Sequence, residues 1–132
     1  MGTVKIILLF VIVILAIFLA RRLMAGSSMS PAEAEKLVAS GAAVLVDVRE
    51  PSEFAGGVAA PALLLPLSDL RGGRELWKPV LEKHRDSQFI LYCASGMRSG
   101  VAAGILRREG FKAANAGGYG GWKAAGLPVR QP

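Results

Sequence analysis

The fold of this chain is set by the stretch Leu91-Tyr92-Cys93-Ala94-Ser95-Gly96-Met97-Arg98-Ser99-Gly100. An apolar, strand-like run, residues 89–92, delivers the only cysteine of the chain to a short loop, and a helix-like run follows at once. This arrangement aims the backbone N–H groups of residues 94–98, and the positive end of the new helix, at the sulfur of Cys93. Arg98 adds a positive charge nearby. Such surroundings favour the thiolate, which is the nucleophilic form of cysteine.

A lone cysteine at the end of a strand is commonly no more than a small buried hydrophobe. Here, however, a polar loop with a glycine and an arginine follows the cysteine, and a core residue needs no anion-binding loop beside it. We therefore interpret Cys93 as a catalytic nucleophile. The residues predicted to bind its substrate are Ala94, Ser95, Gly96, Met97 and Arg98.

These residues resemble the active-site loop of the rhodanese-like sulfurtransferases, which commonly reads C-x-S-G-x-R-S. Two further stretches agree with that family. Residues 45–54, with Leu-Val-Asp-Val-Arg-Glu and a later Glu-Phe, resemble its first-strand motif, and residues 117–129 resemble its closing motif. Three separated motifs in the right order make the resemblance specific. It covers about residues 30 to 131 and implies an α/β fold with a largely parallel central sheet flanked by helices.

One stretch between these motifs departs from the family pattern. Family members often carry G-H-I-x-G-A-x-N-I-P after the Glu-Phe pair. In this chain residues 57–66 place Val58, Pro61 and Leu64 where the family has His, Gly and Asn. The hydrogen bonds of those polar residues must therefore be absent or be supplied by other groups, although the change does not touch the Cys93 loop directly.

The beginning of the chain predicts a membrane anchor. Residues 6–20 are an uninterrupted apolar run that ends at Arg21-Arg22. As a helix the run spans only about 22 Å, against about 30 Å for a bilayer core, so its flanks must extend it to residues 4–24. We predict an anchor segment, 1–26, and a separate domain, 27–132. A cleaved signal peptide, cut near Ala25-Gly26-Ser27, is the alternative.

Charge and composition predict the compartment and the partners. The chain has 16 Lys and Arg residues against 10 Asp and Glu residues, and the basic residues after the apolar run predict a cytoplasmic domain. A single cysteine provides no disulfide framework, which suits a reducing compartment. The basic residues are scattered without interleaved aromatics, so we expect no nucleic-acid partner. Attraction to anionic lipid headgroups or to small anionic substrates explains the charge more simply.

Local patterns predict alternating helices and short apolar strands. In the first half, the predicted elements are a helix from a Ser30 N-cap to about Ser40 that stops at Gly41, a buried strand at 43–48, a helical turn at 50–54, a strand at 62–65 and a turn capped by Ser68 or Asp69. They continue with a helix over 74–83 interrupted near Pro79, a strand leading to Cys93, a helix with Val101, Ala102, Ile105 and Leu106 on one side and Gly110 at its end, a weak strand at 112–116, and a short helix at 119–125.

Some polar and aromatic residues outside the loop invite functional interpretations. We expect Asp47 to bond loop N–H groups or Arg49 rather than to act as a base. His84 lies among charged residues and is predicted to be a solvated helix-end residue rather than a partner of Cys93. Trp122 is predicted to pack against the C-terminus. With one histidine and one cysteine, neither a metal nor another cofactor is predicted.

The family resemblance implies a sulfur-transfer reaction. The Cys93 thiolate would take the outer sulfur of a small anionic donor such as thiosulfate, and the resulting persulfide would pass it to cyanide or a thiol. One alternative is a cysteine phosphatase or arsenate reductase, which the spacing disfavours, since Cys93 and Arg98 form C-x4-R rather than the longer C-x5-R. Another is a membrane-tethered module that binds a protein partner or relays sulfur from one.

Overall fold

The computed structural model describes residues 2–24 and 28–132. The elements in chain order are α1 (Gly2–Met24), α2 (Pro31–Ala39), β1 (Ala43–Asp47), a 3₁₀ turn (Pro51–Gly56), β2 (Val58–Ala59), β3 (Leu63–Leu64), α3 (Leu67–Leu70), α4 (Trp77–Lys83), β4 (Gln88–Cys93), α5 (Met97–Arg108), β5 (Lys112–Gly118), α6 (Tyr119–Ala124) and β6 (Val129–Arg130). The predicted α/β architecture is confirmed.

The central sheet has four strands in the order β3-β1-β4-β5, and every pairing within it is parallel. Two strands pair with β4, and the strand is buried along almost all of its length. The strands β2 and β6 form a separate antiparallel pair. Because the four strands are parallel, their carboxyl ends share one edge of the sheet, and Cys93 is the last residue of β4.

Side chains alternate across β4 and build two apolar layers. Phe89, Leu91 and Cys93 belong to the layer that also contains Leu106 of α5 and Trp77 of α4. Ile90 and Tyr92 belong to the other layer, which contains residues of α2 and α6. A strand covered by helices on both faces reads as a continuous apolar run, which is why residues 89–92 show no polar alternation.

The first helix of the domain, α2, begins at the predicted capping residues. The Ser30 side chain accepts a hydrogen bond from the Glu33 N–H at 3.2 Å, and Pro31 occupies the first helical position. The helix ends before Gly41, whose φ of 81° lies in the left-handed region that follows many helix ends.

The predictions around α4 were partly wrong. Arg74 is not helical, and α4 begins only at Trp77, so Pro79 lies in its first turn and does not interrupt it. A proline is tolerated there because the first N–H groups of a helix have no intrahelical acceptor. Asp69 does not cap its own turn, since Pro66 occupies the N-cap of α3. Its carboxylate instead accepts hydrogen bonds from the N–H groups at the start of α4.

The predicted face of α5 also needs a correction. Val101 is 45 % exposed, whereas Ala103 is only 2 % exposed. The buried positions of α5 are Ser99, Ala102, Ala103 and Leu106. The burial of Ser99 places a hydroxyl next to the nucleophile.

The stretch that departs from the family pattern is held by other groups. Val58 is buried and lies in β2, opposite Arg130 of β6. The Ala59 N–H donates to the Tyr92 hydroxyl at 2.9 Å, and the guanidinium of Arg130 donates to the Ala60 and Ala62 carbonyls. The short strand β2 was not predicted, because its partner strand lies near the far end of the chain.

Helix α1 is apolar and exposed over residues 2–20, and it is long enough to cross a membrane. A signal sequence near the N-terminus has the same properties, so the helix alone does not separate the two. The predicted boundary between anchor and domain, at residues 26 and 27, lies outside the described residues.

Candidate active site

The loop after β4 wraps around the sulfur of Cys93. Gly96 has a φ of 92°, a conformation that favours glycine, and it directs the chain into α5. The Gly96 N–H donates a hydrogen bond to Cys93 Sγ at 3.0 Å. The cysteine side chain is buried at the base of the loop, while Ala94 and Ser95 are exposed above it. The predicted strand, loop and helix are therefore present, with the sulfur inside the turn.

The environment of Cys93 favours its thiolate. Burial raises the pKa of the thiol, but hydrogen bonds from the Ser99 hydroxyl and from the N–H groups of Ser99, Ser95 and Gly96 outweigh burial and lower the pKa below its usual value. These donors lie in the loop and in the first turn of α5, where the helix dipole also favours negative charge. Cys93 is thus placed to act as a nucleophile.

A half-buried polar network supports the loop from β5. The Ser99 hydroxyl lies 3.4 Å from Cys93 Sγ and 2.7 Å from Asn115 Oδ1. Asn115 Oδ1 also accepts from the Gly117 N–H, and its Nδ2 donates to the Gly96 carbonyl at 2.8 Å. Because Gly117 supplies a donor and Gly96 an acceptor, the orientation of the Asn115 amide is determined. The amide therefore connects the strand, the loop and the nucleophile.

The loop packs directly on the backbone of the Gly117-Gly118 pair. A Cβ atom built on Gly118 would lie 2.5 Å from the Ala94 carbonyl oxygen, and one built on Gly96 would lie 3.2 Å from Gly117 Cα. Any side chain at Gly118 would therefore push the loop away from β5. This contact explains why the closing motif begins with glycines.

The guanidinium of Arg98 is paired with a carboxylate and is not a free positive charge beside the sulfur. It forms two hydrogen bonds with the Glu53 carboxylate, at 2.6 and 2.8 Å. These bonds lower the pKa of Glu53 to about 2. The same bonds are the main cause of the raised pKa of Arg98, to which the Cys93 thiolate also contributes. The predicted free positive charge beside Cys93 is thus largely neutralised by Glu53.

A second ion pair, which is buried, stabilises the segment that contains Glu53. Asp47 accepts hydrogen bonds from the backbone and guanidinium of Arg49, and both side chains are buried. The Arg49 guanidinium also donates to the Gly57 carbonyl and lies 4.5 Å from the centroid of the Tyr119 ring. The predicted structural role of Asp47 agrees with this geometry, which fixes the 3₁₀ turn that carries Glu53.

The remaining predicted residues fall into two groups. Ser95 and Gly96 contribute N–H groups to the sulfur, whereas the Met97 side chain is 78 % exposed and turned to solvent. His84 caps the end of α4, at the opposite edge of the sheet from Cys93, and forms no dyad with it. Trp122 packs in the core and donates to the Pro128 carbonyl at 2.8 Å, as predicted for a C-terminal anchor. Among the described residues, no cluster of His, Cys, Asp and Glu is suited to hold a metal ion.

Known proteins resemble this chain in sequence and in fold. The family model of the rhodanese-like domain matches residues 30–125. The chain belongs to the rhodanese-like family. A rhodanese-related protein from Thermoplasma volcanium has a similar structure, with a TM-score of 0.65 and 31 % identity, covering 80 % of this chain and 99 % of that one.

Curated relatives support the same assignment. The uncharacterized protein slr1261 of Synechocystis is 38 % identical over 104 residues, which is 77 % of this chain and 55 % of that protein. A sulfurtransferase of Allochromatium vinosum is 34 % identical over 93 residues, 67 % of this chain and 79 % of that protein. This rhodanese-like chain spans about half the length of slr1261 and 32 % of a similar tRNA uridine(34) hydroxylase from Acinetobacter baumannii.

Sequence reasoning did not assign functional roles to Ser99, Asn115 and Glu53. A signal existed for Asn115, because it is the only polar uncharged side chain in a strand otherwise made of small residues and one lysine. Ser99 follows Arg98 at the third position of the rhodanese-like α5, where a side chain can turn back to the strand end. Glu53 lies 45 residues before its partner, and spacing alone does not reveal such a pair.

Proposed function

We propose that this protein is a sulfurtransferase that carries sulfane sulfur on Cys93, taking it from a small anionic donor such as thiosulfate. The observation that carries the proposal is the hydrogen bond from the Gly96 N–H to Cys93 Sγ, at 3.0 Å, in a loop at the carboxyl edge of a parallel sheet. The same loop donors that stabilise a thiolate are suited to a negatively charged persulfide.

The reaction has two steps. The Cys93 thiolate attacks the outer sulfur of thiosulfate, a new sulfur–sulfur bond forms on Cys93, and the bond within thiosulfate breaks with its electron pair leaving on sulfite. An acceptor such as cyanide then attacks the outer sulfur of the persulfide. Thiocyanate forms, and the electron pair of the broken bond returns to Cys93 as thiolate. No oxidant or reductant is needed.

The pairing of Arg98 with Glu53 bears on which reaction the site can carry out. Two of the five N–H groups of the guanidinium bind Glu53, which offsets the charge of Arg98 and occupies the face that would bind an oxyanion through two oxygens. The loop N–H groups are therefore the main donors to the transferred sulfur. A phosphatase would need a guanidinium free to bind two oxygens of its substrate. Together with the short C-x4-R spacing, this pairing favours sulfur transfer over phosphate or arsenate chemistry.

We further propose that residues 4–24 are a retained single-pass anchor and that the domain lies in the cytoplasm. Two observations support this. The apolar run of α1 ends at Arg21-Arg22, whereas a cleavable signal peptide ends in small residues, and the chain beyond the run is basic. The single cysteine suits the reducing environment that an unpaired catalytic thiol requires.

Turnover by the full chain in detergent tests the enzymatic proposal. With thiosulfate and cyanide, we expect thiocyanate from the wild type and from Ser95→Ala, which removes only an exposed hydroxyl and keeps the backbone N–H that acts on Cys93. We expect none from Cys93→Ser. If the folded wild type releases no thiocyanate, the thiosulfate reaction is wrong, and the alternative of a module that receives sulfur from a protein partner takes its place.

A further inference from the structure

The edge of the sheet opposite Cys93, which we call the amino edge, is formed by the beginnings of the strands. The helices α2, α4 and α5 each lead directly into the next strand, so their C-terminal ends lie at this edge. The sheet therefore separates two ends of the domain. One carries the nucleophile, and the other carries three helix C-termini.

Basic side chains outnumber acidic ones at the amino edge. The exposed or half-buried basic residues there are Lys36, Lys83, Arg85, Arg107, Arg108 and Lys112, and the acidic ones are Glu82, Asp86 and Glu109. Glu109 is moreover neutralised by Arg74. Basic residues in the last turn of a helix offset its dipole, but Arg85 and Lys112 lie beyond the helices. The excess of positive charge thus exceeds what helix ends require.

The carboxyl edge differs in charge. The acidic residues nearest the Cys93 loop are paired internally, Glu53 with Arg98 and Asp47 with Arg49. These pairs cancel each other's charge locally. At the same edge, the basic Arg71 and Lys123 are matched by the acidic Glu50 and Asp69. The domain is therefore polarised, because the excess of positive charge lies at the amino edge, away from the nucleophile.

The chain from α1 enters the domain along the outer side of β5. Ser28 forms a parallel bridge with Asn115, and the Met29 N–H donates to the Asn115 carbonyl at 2.9 Å. Because this segment runs in the same direction as β5, it advances from the side of the amino edge. Only residues 25–27 connect it to the end of α1, and four Cα steps reach at most about 14 Å.

We propose that the basic amino edge lies on the anionic headgroups of the membrane that holds α1, with Cys93 facing away from the bilayer. The proposal rests on the membrane anchor proposed above. The short connection keeps the domain within about one or two Debye lengths of the surface, where charge attraction is effective. Since β4 has 6 residues, its ends are separated by about 17 to 20 Å. The sulfur donor and acceptor therefore reach Cys93 from the aqueous phase and not from within the bilayer.

Fluorescence quenching on the full chain in nanodiscs tests this orientation. In a Cys93→Ser background, single probes are attached at Ala42→Cys on the amino edge and at Met97→Cys on the carboxyl edge, both exposed positions. The nanodiscs contain either anionic or zwitterionic lipid, with a quencher on the headgroups. In anionic lipid we expect quenching at position 42 to exceed that at position 97 several-fold. High salt and zwitterionic lipid should reduce the difference.

Charge reversal gives the matched comparison. Arg108→Glu with Lys112→Glu should abolish the difference between the probes. Arg71→Glu with Lys123→Glu changes the net charge equally, but at the end of α3 and on α6, which follow strands at the carboxyl edge. This pair of substitutions should preserve the difference between the probes. Thermal unfolding of each variant verifies that it is folded.

The outcomes separate the orientation from the anchor. Equal quenching at both positions in anionic lipid, or stronger quenching at position 97, overturns the orientation. Alkaline carbonate extraction of the same membranes reports on the anchor. If extraction releases the chain, the anchor fails and the orientation fails with it. If the chain resists extraction and the probes show no asymmetry, only the orientation is overturned.

Discussion

Replacing Ser99 by alanine removes a hydroxyl that lies 3.4 Å from Cys93 Sγ and 2.7 Å from Asn115 Oδ1. A serine hydroxyl has one proton, so it donates to only one of these atoms at a time. The thiolate attracts this proton more strongly than the thiol does. We therefore expect Ser99→Ala to raise the pKa of Cys93.

The magnitude follows from the geometry. A hydrogen bond to a charged group contributes about 1.5 to 3 kcal/mol. The contact to sulfur is long and its proton is shared with Asn115, so the lower end of that range applies, about 1.5 kcal/mol, or about one pKa unit. Folding should change little, because Asn115 Oδ1 keeps its hydrogen bond from the Gly117 N–H. The thiolate fraction well below the pKa should fall about tenfold.

The ultraviolet absorbance of the thiolate, followed against pH, measures this pKa without requiring a reagent to reach the buried sulfur. The assay is unambiguous because Cys93 is the single cysteine of the chain. Ser95→Ala is the matched control, since the side chain of Ser95 is exposed and only its N–H lowers the pKa of Cys93. An unchanged pKa in Ser99→Ala, or an equal shift in both variants, would refute the reasoning.

Further variants test the supports of the loop. Asn115→Asp places a carboxylate against the Gly96 carbonyl and should raise the pKa of the nucleophile at least as much as Ser99→Ala, in the same titration. Glu53 has its pKa lowered from 4.5 to about 2, mainly by Arg98, so the pair stabilises the fold fully above about pH 4.5 and loses this effect as the pH falls toward 2. Glu53→Gln should therefore cost about 1 kcal/mol at neutral pH, after allowance for solvent exposure, and progressively less in acid, as measured by urea unfolding across pH. Gly118→Ala should destabilise the protein by about 2 kcal/mol, because the new methyl group clashes with the loop. Gly120→Ala, which has open space around it, should leave the stability unchanged, and thermal unfolding compares the two variants.

The sequence was most informative where structure depends on neighbouring residues. The apolar run before Cys93, the glycine in the loop and the small residues after it predict the strand, turn and helix that surround the sulfur. The cap at Ser30 and the strand at 43–48 were predicted on the same local grounds. These features follow from periodicity and backbone preference, which are readable without the tertiary fold.

Features that depend on distant contacts were not predictable. The charge of Arg98 is neutralised by a residue far earlier in the chain, and the Asn115 amide reaches the loop only because β5 pairs with β4. The start of α4 depends on the Asp69 carboxylate, which accepts from its first N–H groups. In each case a tertiary contact, rather than a local preference, decides the outcome.

Intact-mass spectrometry of the full chain after brief exposure to thiosulfate tests whether Cys93 itself carries the transferred sulfur. The account predicts that the wild type gains the mass of one sulfur atom, that the added mass maps to the peptide containing Cys93, and that cyanide removes it with release of thiocyanate. Cys93→Ser should gain nothing. A folded wild type whose mass does not change, or a Cys93→Ser variant that gains the same mass, would contradict it.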